Sequence, residues 1–171
     1  AGIYERDNFC RGGILMNVAR LEAFLYSEAD MLDARDLDNW IALFTDDGSY
    51  WMPACEAQPD PENHVSHIYD DRVMMEIRRR NFVHPRASSK EWDIRTSHIL
   101  GNVRLRDLGE SGVFEVTSNQ HVVVWYREEQ RTYAYRGTHL LVERDDQLLI
   151  KQKRVDLINP SAPQRSLIIY I

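Results

Sequence analysis

Phe114-Glu-Val-Thr-Ser-Asn-Gln-His-Val-Val-Val124 alternates in character along almost its whole length. Phe114, Val116, Ser118, Gln120, Val122 and Val124 share one side, and Glu115, Thr117, Asn119 and His121 share the other. Successive side chains of an extended chain point to opposite faces, so this is a long strand with one drier face. The same period continues on both sides of it. Residues 97–105 read as a strand, joined through a hairpin loop at 107–112. Turns at 128–131 and 145–147 then separate strands over 132–144 and 148–158, and 167–171 reads as a short closing strand.

Upstream the period changes. Ile14, Val18, Leu21, Leu25, Ala29 and Leu32 recur in steps of mostly three and four, which makes one face of a helix. Asp36 is placed to cap a second helix carrying Leu37, Trp40, Ile41 and Phe44. Asp46-Asp47-Gly48 is a turn signal, and 49–52 is a strand stopped by Pro53. Pro59 and Pro61 mark a loop over 56–63, and Val73, Met74, Ile77 and Phe82 predict a third helix over 70–82. Residues 84–93 form another polar connection. Three helices ahead of a run of strands is an α+β arrangement. Its antiparallel sheet is expected to curl around the helices as a cone with an internal hollow. Residues 1–13 are expected to be an arm, and 14–171 a single domain.

The chain has 171 residues, enough for one domain with a real core, and a net charge of -6. That charge argues against a nucleic-acid binder, which needs a basic stripe for phosphates. The one dense basic cluster, Arg78-Arg-Arg80, falls at the end of the third predicted helix, where cations complement the helix dipole. The longest apolar runs, at 122–126 and 166–171, are too short to span a bilayer, and no export signal is indicated. Two cysteines, Cys10 and Cys55, do not make a disulfide framework, and a cytoplasmic setting is expected.

Further segments, taken with the opening, carry a family resemblance. Residues 28–53, ending in Gly48-Ser-Tyr-Trp-Met-Pro53, resemble the opening of the small (β) subunit of aromatic-ring-hydroxylating, Rieske non-haem iron dioxygenases. Ile68-Tyr-Asp-Asp-Arg72 with Glu76 and Arg78 is similar to the helix opening after that family's variable loop. Asp93-Ile-Arg-Thr-Ser-His98, continuing through Asn102-Val103, resembles its arginine–histidine–asparagine strand, and Lys153-Arg-Val-Asp-Leu-Ile158 its penultimate strand. Trp51-Met-Pro-Ala54 with Arg95-Thr-Ser-His98 is most similar to the benzoate, or aromatic-carboxylate, type.

The resemblance implies the cone fold shared with nuclear transport factor 2, the cystatin-like class, scytalone dehydratase and ketosteroid isomerase. It implies association with a large α subunit, commonly as α3β3, with self-association as a trimer also open. The α subunit of such an enzyme carries a Rieske [2Fe–2S] cluster and a mononuclear iron. Electrons reach it from NADH or NADPH through a reductase or ferredoxin, and both O2 atoms enter the aromatic ring to give a cis-dihydrodiol. This chain's share is then structural.

The residues agree with that division. A Rieske centre needs two Cys and two His in paired short spacings, and neither Cys10-Arg-Gly12 nor Cys55-Glu-Ala57 begins such a pair. His64 and His67, with Asp70 and Asp71, have a spacing that could present metal ligands, but beside Pro61 they are expected to be solvated or interface histidines. No Gly-x-Ser-x-Gly elbow or phosphate-binding glycine loop is present.

The alternative reading is a stand-alone dehydratase or isomerase using a His/Asp pair in the cavity. His98, His121, His139, Asp156, Tyr126 and Tyr135 all fall on predicted strands and could face inward, each expected to be a hydrogen-bonded structural residue. Subunit contact is the favoured role. Trp40 follows the helical period and belongs to the core. Trp92, in a polar loop, and Arg95 are expected to touch another subunit. Arg95 and His98 lie three apart on a strand and so point to opposite faces, one toward a partner and the other toward the interior.

Overall fold

The structure is a computed structural model, and it describes residues 18–83, 94–108, 112–162 and 169–171. The proposed arm at 1–13, with Cys10, Ile14, and the whole 84–93 connection, with Trp92, lie outside the described residues. Among the described residues nine elements follow in order: α1 (Val18–Ala34), α2 (Leu37–Ala42), β1 (Phe44–Pro53), β2 (Ser66–Asp71), α3 (Arg72–Val83), β3 (Arg95–Asp107), β4 (Val113–Tyr126), β5 (Glu129–Arg144) and β6 (Gln147–Leu157). The six strands form one curved sheet in the order β2-β1-β6-β5-β4-β3, with the helices against its inner face. This is the expected α+β cone.

The helix and hairpin predictions hold where the period is clean. α1 buries Leu21, Leu25, Ala29 and Leu32 on one stripe. Asp36 caps α2, its carboxylate accepting from the Asn39 backbone N–H at 3.3 Å. The β4–β5 and β5–β6 hairpins turn through Arg127-Glu128 and Asp145-Asp146, all four at positive φ. Two consecutive left-handed residues give a turn whose twist matches that of the flanking strands.

Four expectations are corrected. The sheet is not wholly antiparallel, because β1 runs parallel to β6 and antiparallel only to β2. Residues 66–71 form an edge strand, so the third helix starts at Arg72 rather than at residue 70. The Asp46-Asp47-Gly48 signal does not end a helix–strand junction. It is a bulge inside β1, looped out between the pairs Phe44↔Ile150 and Ser49↔Gln152. Gly48 is required there: a Cβ would stand 2.9 Å from the carbonyl oxygens of Ile150 and Thr45. Finally, the described end of the chain, 169–171, is not a strand.

Instead, Tyr170 and Ile171 are drawn into the core. Tyr170 stacks on Trp40 with ring centroids 4.6 Å apart, and Tyr50 and Phe44 meet Trp40 edge-on. The Tyr50 hydroxyl donates to the Ile171 carbonyl at 3.1 Å. This aromatic group belongs to the buried core. Each such ring removes about 150–250 Å² from water, which makes it a principal source of core stability.

Candidate functional site

Glu28 breaks the apolar stripe of α1, falling between Leu25 and Leu32 on the buried side of the helix. Its carboxylate is only 2% exposed and is answered on every side. Oε1 accepts from Lys153 Nζ at 2.9 Å and from Trp40 Nε1 at 3.1 Å. Oε2 lies 2.8 Å from His139 Nε2, which donates to it because an ionised carboxylate can only accept. Burial pushes the Glu28 pKa up, but Lys153 and His139 outweigh it and hold the carboxyl well below the usual carboxylate range. A buried acid kept ionised in this way needs its partners, since either charge alone would be strongly unfavourable.

One and a half turns further along α1, Asp33 makes a second pair. Its Oδ1 accepts from His98 Nδ1 at 2.6 Å, and Oδ2 from the His98 backbone N–H at 3.0 Å. Burial lowers the His98 pKa and outweighs the raising effect of Asp33, while the bonds from His98 lower that of Asp33. A third cluster lies at the sheet edge. Asp70 accepts from Arg78 Nε at 2.7 Å and from the Tyr170 hydroxyl at 2.6 Å.

The acid–base candidates therefore divide. His98, His139, Tyr135 and Tyr126 face inward, and the Tyr135 hydroxyl donates to Gln120 at 2.7 Å. His121 and Asp156 face outward. Asp156 accepts from Arg154 in a fork at 2.8 to 2.9 Å. The reason for Asp156 is a bulge at Lys151, where Leu140 pairs with Gln152 and Leu141 with Ile150. The extra residue reverses the alternation and turns Lys153, Val155 and Leu157 inward. Glu28, Asp33 and Lys153 are the residues that the strand-based reading missed. For Glu28 the signal was available, as an acid on the dry face of an amphipathic helix.

A His–Asp pair thus exists, between His98 and Asp33. The cleft among the helices is lined by Leu32, Leu37, Phe82, Ile94, Thr96 and Tyr170, and neither His98 nor His139 lines it. The histidine–aspartate set near Pro61 is dispersed. His64 Nδ1 is 3.5 Å from Asp60, His67 Nε2 is 2.8 Å from the Pro160 carbonyl, Asp70 is held by Arg78, and Asp71 accepts from the Met74 N–H at the start of α3. Among the described residues no group of three or more His, Cys, Asp or Glu is arranged to hold a metal ion. Cys55 is an exposed free thiol.

Arg95 and His98 point to opposite faces, as their spacing requires. The His98 side chain is 1% exposed inside the cone, where its ring contacts Asp33 of α1. Arg95 stands on the outer face, opposite Trp125 of β4. Among the described residues no helix is long and apolar enough to cross a membrane.

The family model for ring hydroxylating beta subunits matches residues 27–163. The small oxygenase component of the p-cumate 2,3-dioxygenase system of Pseudomonas putida is 30% identical over 140 residues, covering 80% of this chain and 76% of that protein. The crystal structure of the beta subunit of benzoate 1,2-dioxygenase from Burkholderia mallei ATCC 23344 aligns with a TM-score of 0.75 at 26% identity, over 89% of this chain and 97% of that one. A chain of naphthalene 1,2-dioxygenase, solved with indole in the active site, has a TM-score of 0.74 at 15% identity over 97% of this chain and 90% of that one, a likeness of fold alone.

Proposed function

The chain belongs to the ring-hydroxylating beta subunit family, and from that premise we propose that it is the scaffold of its enzyme, binding the large oxygenase subunit without contributing to the chemistry. It is a component of an aromatic-ring-hydroxylating dioxygenase, an oxidoreductase. The observation that carries the scaffold role is the use of its ionisable interior. His139 and Lys153 are both bonded to Glu28, and His98 to Asp33, in places where a substrate would have to displace them.

The Rieske cluster and the mononuclear iron are assigned to the large subunit. The donor set of this chain does not fit either group: its two cysteines lack paired histidines, and its described histidines are committed to Glu28, Asp33, Asp60 and Pro160 or, for His121, stand singly on the outer face. We assign a three-plus-three assembly with the large subunit, fed by a separate reductase. The substrate class is aromatic carboxylates, in keeping with the p-cumate and benzoate enzymes to which the chain is similar.

Co-expression with the large subunit, followed by size-exclusion chromatography with light scattering and iron analysis, tests this reading. A hexamer-sized complex is expected, with all iron absent when this chain is purified alone. A chain that retained iron alone, or that never associated, would refute it.

A further inference from the structure

The two ends of the sheet carry opposite charge. At the β3 end the outer side is basic. Ile99, Arg136 and Arg104 stand beside His121, Asn119 and Thr117, successive outward residues of β4. Ile99 is 68% exposed, and Arg104 and Arg136 are exposed with it. Arg136 faces Asp156 across the sheet, but Arg154 already holds that carboxylate. Among the described residues neither Arg104 nor Arg136 makes an ion pair.

The β2 end is acidic. Residues 53–71 contain Glu56, Asp60, Glu62, Asp70 and Asp71 and no Lys or Arg. The loop that leads into β2 is built on Gln58, a side chain only 1% exposed. Its Oε1 accepts from the Ala54 N–H at 3.2 Å, and its Nε2 donates to the Asp60 carbonyl at 3.2 Å and to Ser66 Oγ at 3.1 Å. Glu56 and Glu62 are exposed on this fixed loop, and Val65 beside them is 85% exposed. Burial, then the Glu62 and Asp71 carboxylates, push the Tyr69 pKa up, so acids and an aromatic ring share this surface.

We propose that copies of this chain associate head to tail, the loop of one copy, with Glu56, Glu62 and Val65, docking on the outer sheet face of the next around Ile99, Arg104 and Arg136. Charge complementarity selects a second copy as the occupant, because both charged surfaces belong to this chain. It also selects the mode. A two-fold pairing of either surface with itself would set like charges together, whereas a heterologous contact joins acid to arginine and leaves one surface of each kind free for a further copy. Since β2 and β3 are the opposite edges of the sheet, a single copy presents both surfaces at once. That the resulting ring closes at three copies rests on the assembly proposed above, and the contact itself does not.

Sedimentation of the full-length chain over a concentration series, at low and raised salt, tests this. The wild-type chain is expected to self-associate, less so as salt rises. Arg104→Glu/Arg136→Glu and Glu56→Lys/Glu62→Lys are each expected to weaken association by about tenfold or more at low salt. The variant carrying all four substitutions, whose surfaces are complementary again, is expected to recover most of that loss. Thermal melting checks that the variants are folded. If a reversal does not fold, Ile99→Ser and Val65→Ser, at positions already exposed, are read in the same series and are expected to weaken association. A wild-type chain that stayed monomeric throughout would overturn the proposal, as would folded reversals without effect or a fourfold variant no better than either pair. A reversal that released only the large subunit from the co-expressed complex would assign the surface to that subunit instead. Self-association without any binding of the large subunit would overturn the scaffold reading and leave this contact standing.

Discussion

The two faces of β6 carry similar chemistry with opposite consequences. Inside, Lys153 meets Glu28 with both side chains at 2% exposure or less, and its ammonium lies 5.9 Å from the centre of the Tyr50 ring. Outside, one residue further on, Arg154 forks onto Asp156 and lies 4.2 Å over the Trp51 ring, with Arg154 and Asp156 22% and 33% exposed. Each is a cation, an acid and an aromatic ring. Water decides the difference: the inner acid cannot lose its partner without leaving a buried charge, whereas the outer one can be resolvated. The inner pair therefore specifies the packing of α1 on the sheet, and the outer pair does not.

The comparison is broken most sharply by removing the inner acid. Glu28→Ala is expected to cost about 3–5 kcal/mol, read from the midpoint of urea unfolding, because Lys153 is left buried without a counter-charge. Asp156→Ala, its outer counterpart, is expected to cost no more than about 1 kcal/mol. Equal losses would erase the distinction between the faces.

Acid sharpens the same contrast. His98 is held below its ordinary 6.5, so as pH falls through that value the unfolded chain takes up a proton that the folded chain does not, and stability declines. Glu28 and Asp33 are held below 4.5 and 3.8, so the stability they supply is complete above those values and is lost as pH falls through them. Unfolding midpoints are expected to be highest above pH 6.5 and to fall in that order. A profile that stayed flat from pH 7 through the acid range below 3.8 would contradict the assigned pairs.

Two smaller effects bear on how the helices are fixed to the inner face. Tyr170→Phe removes a buried donor from Asp70 and is expected to cost about 1–3 kcal/mol in the same unfolding assay. Asp36→Ala removes the cap of α2 and is expected to cost about 1 kcal/mol, with Asp36→Asn recovering most of it. A cap substitution more costly than loss of Glu28 would invert the assumed hierarchy.

What could be read from sequence was whatever local period records. The alternation in β4 and the stripe of α1 are visible in their own residues, and the family resemblance followed the order of such segments. The bulge at Lys151 was not visible, because one extra residue shifts parity without altering composition, and it hid Lys153 while seeming to offer Asp156. The edge strand β2 was hidden by the proline-containing loop before it and by its merging with α3. Pairing of β1 with β6 depends on residues far apart in the chain, which no window on the sequence can register. Asp33 was missed for a related reason: its partner is 65 residues away.

The pairing of β1 with β6 also has a bearing on how the protein is made. Ser49 on β1 and Gln152 on β6 are bonded across 103 residues. At synthesis rates of about 5–20 residues per second, β1 waits on the order of ten seconds for its neighbour. The edge of β1 that will meet β6 is meanwhile unpaired. The helices and β1–β2 emerge first yet become secure late, so the nascent chain is most vulnerable to wrong strand partners just before β6 leaves the ribosome.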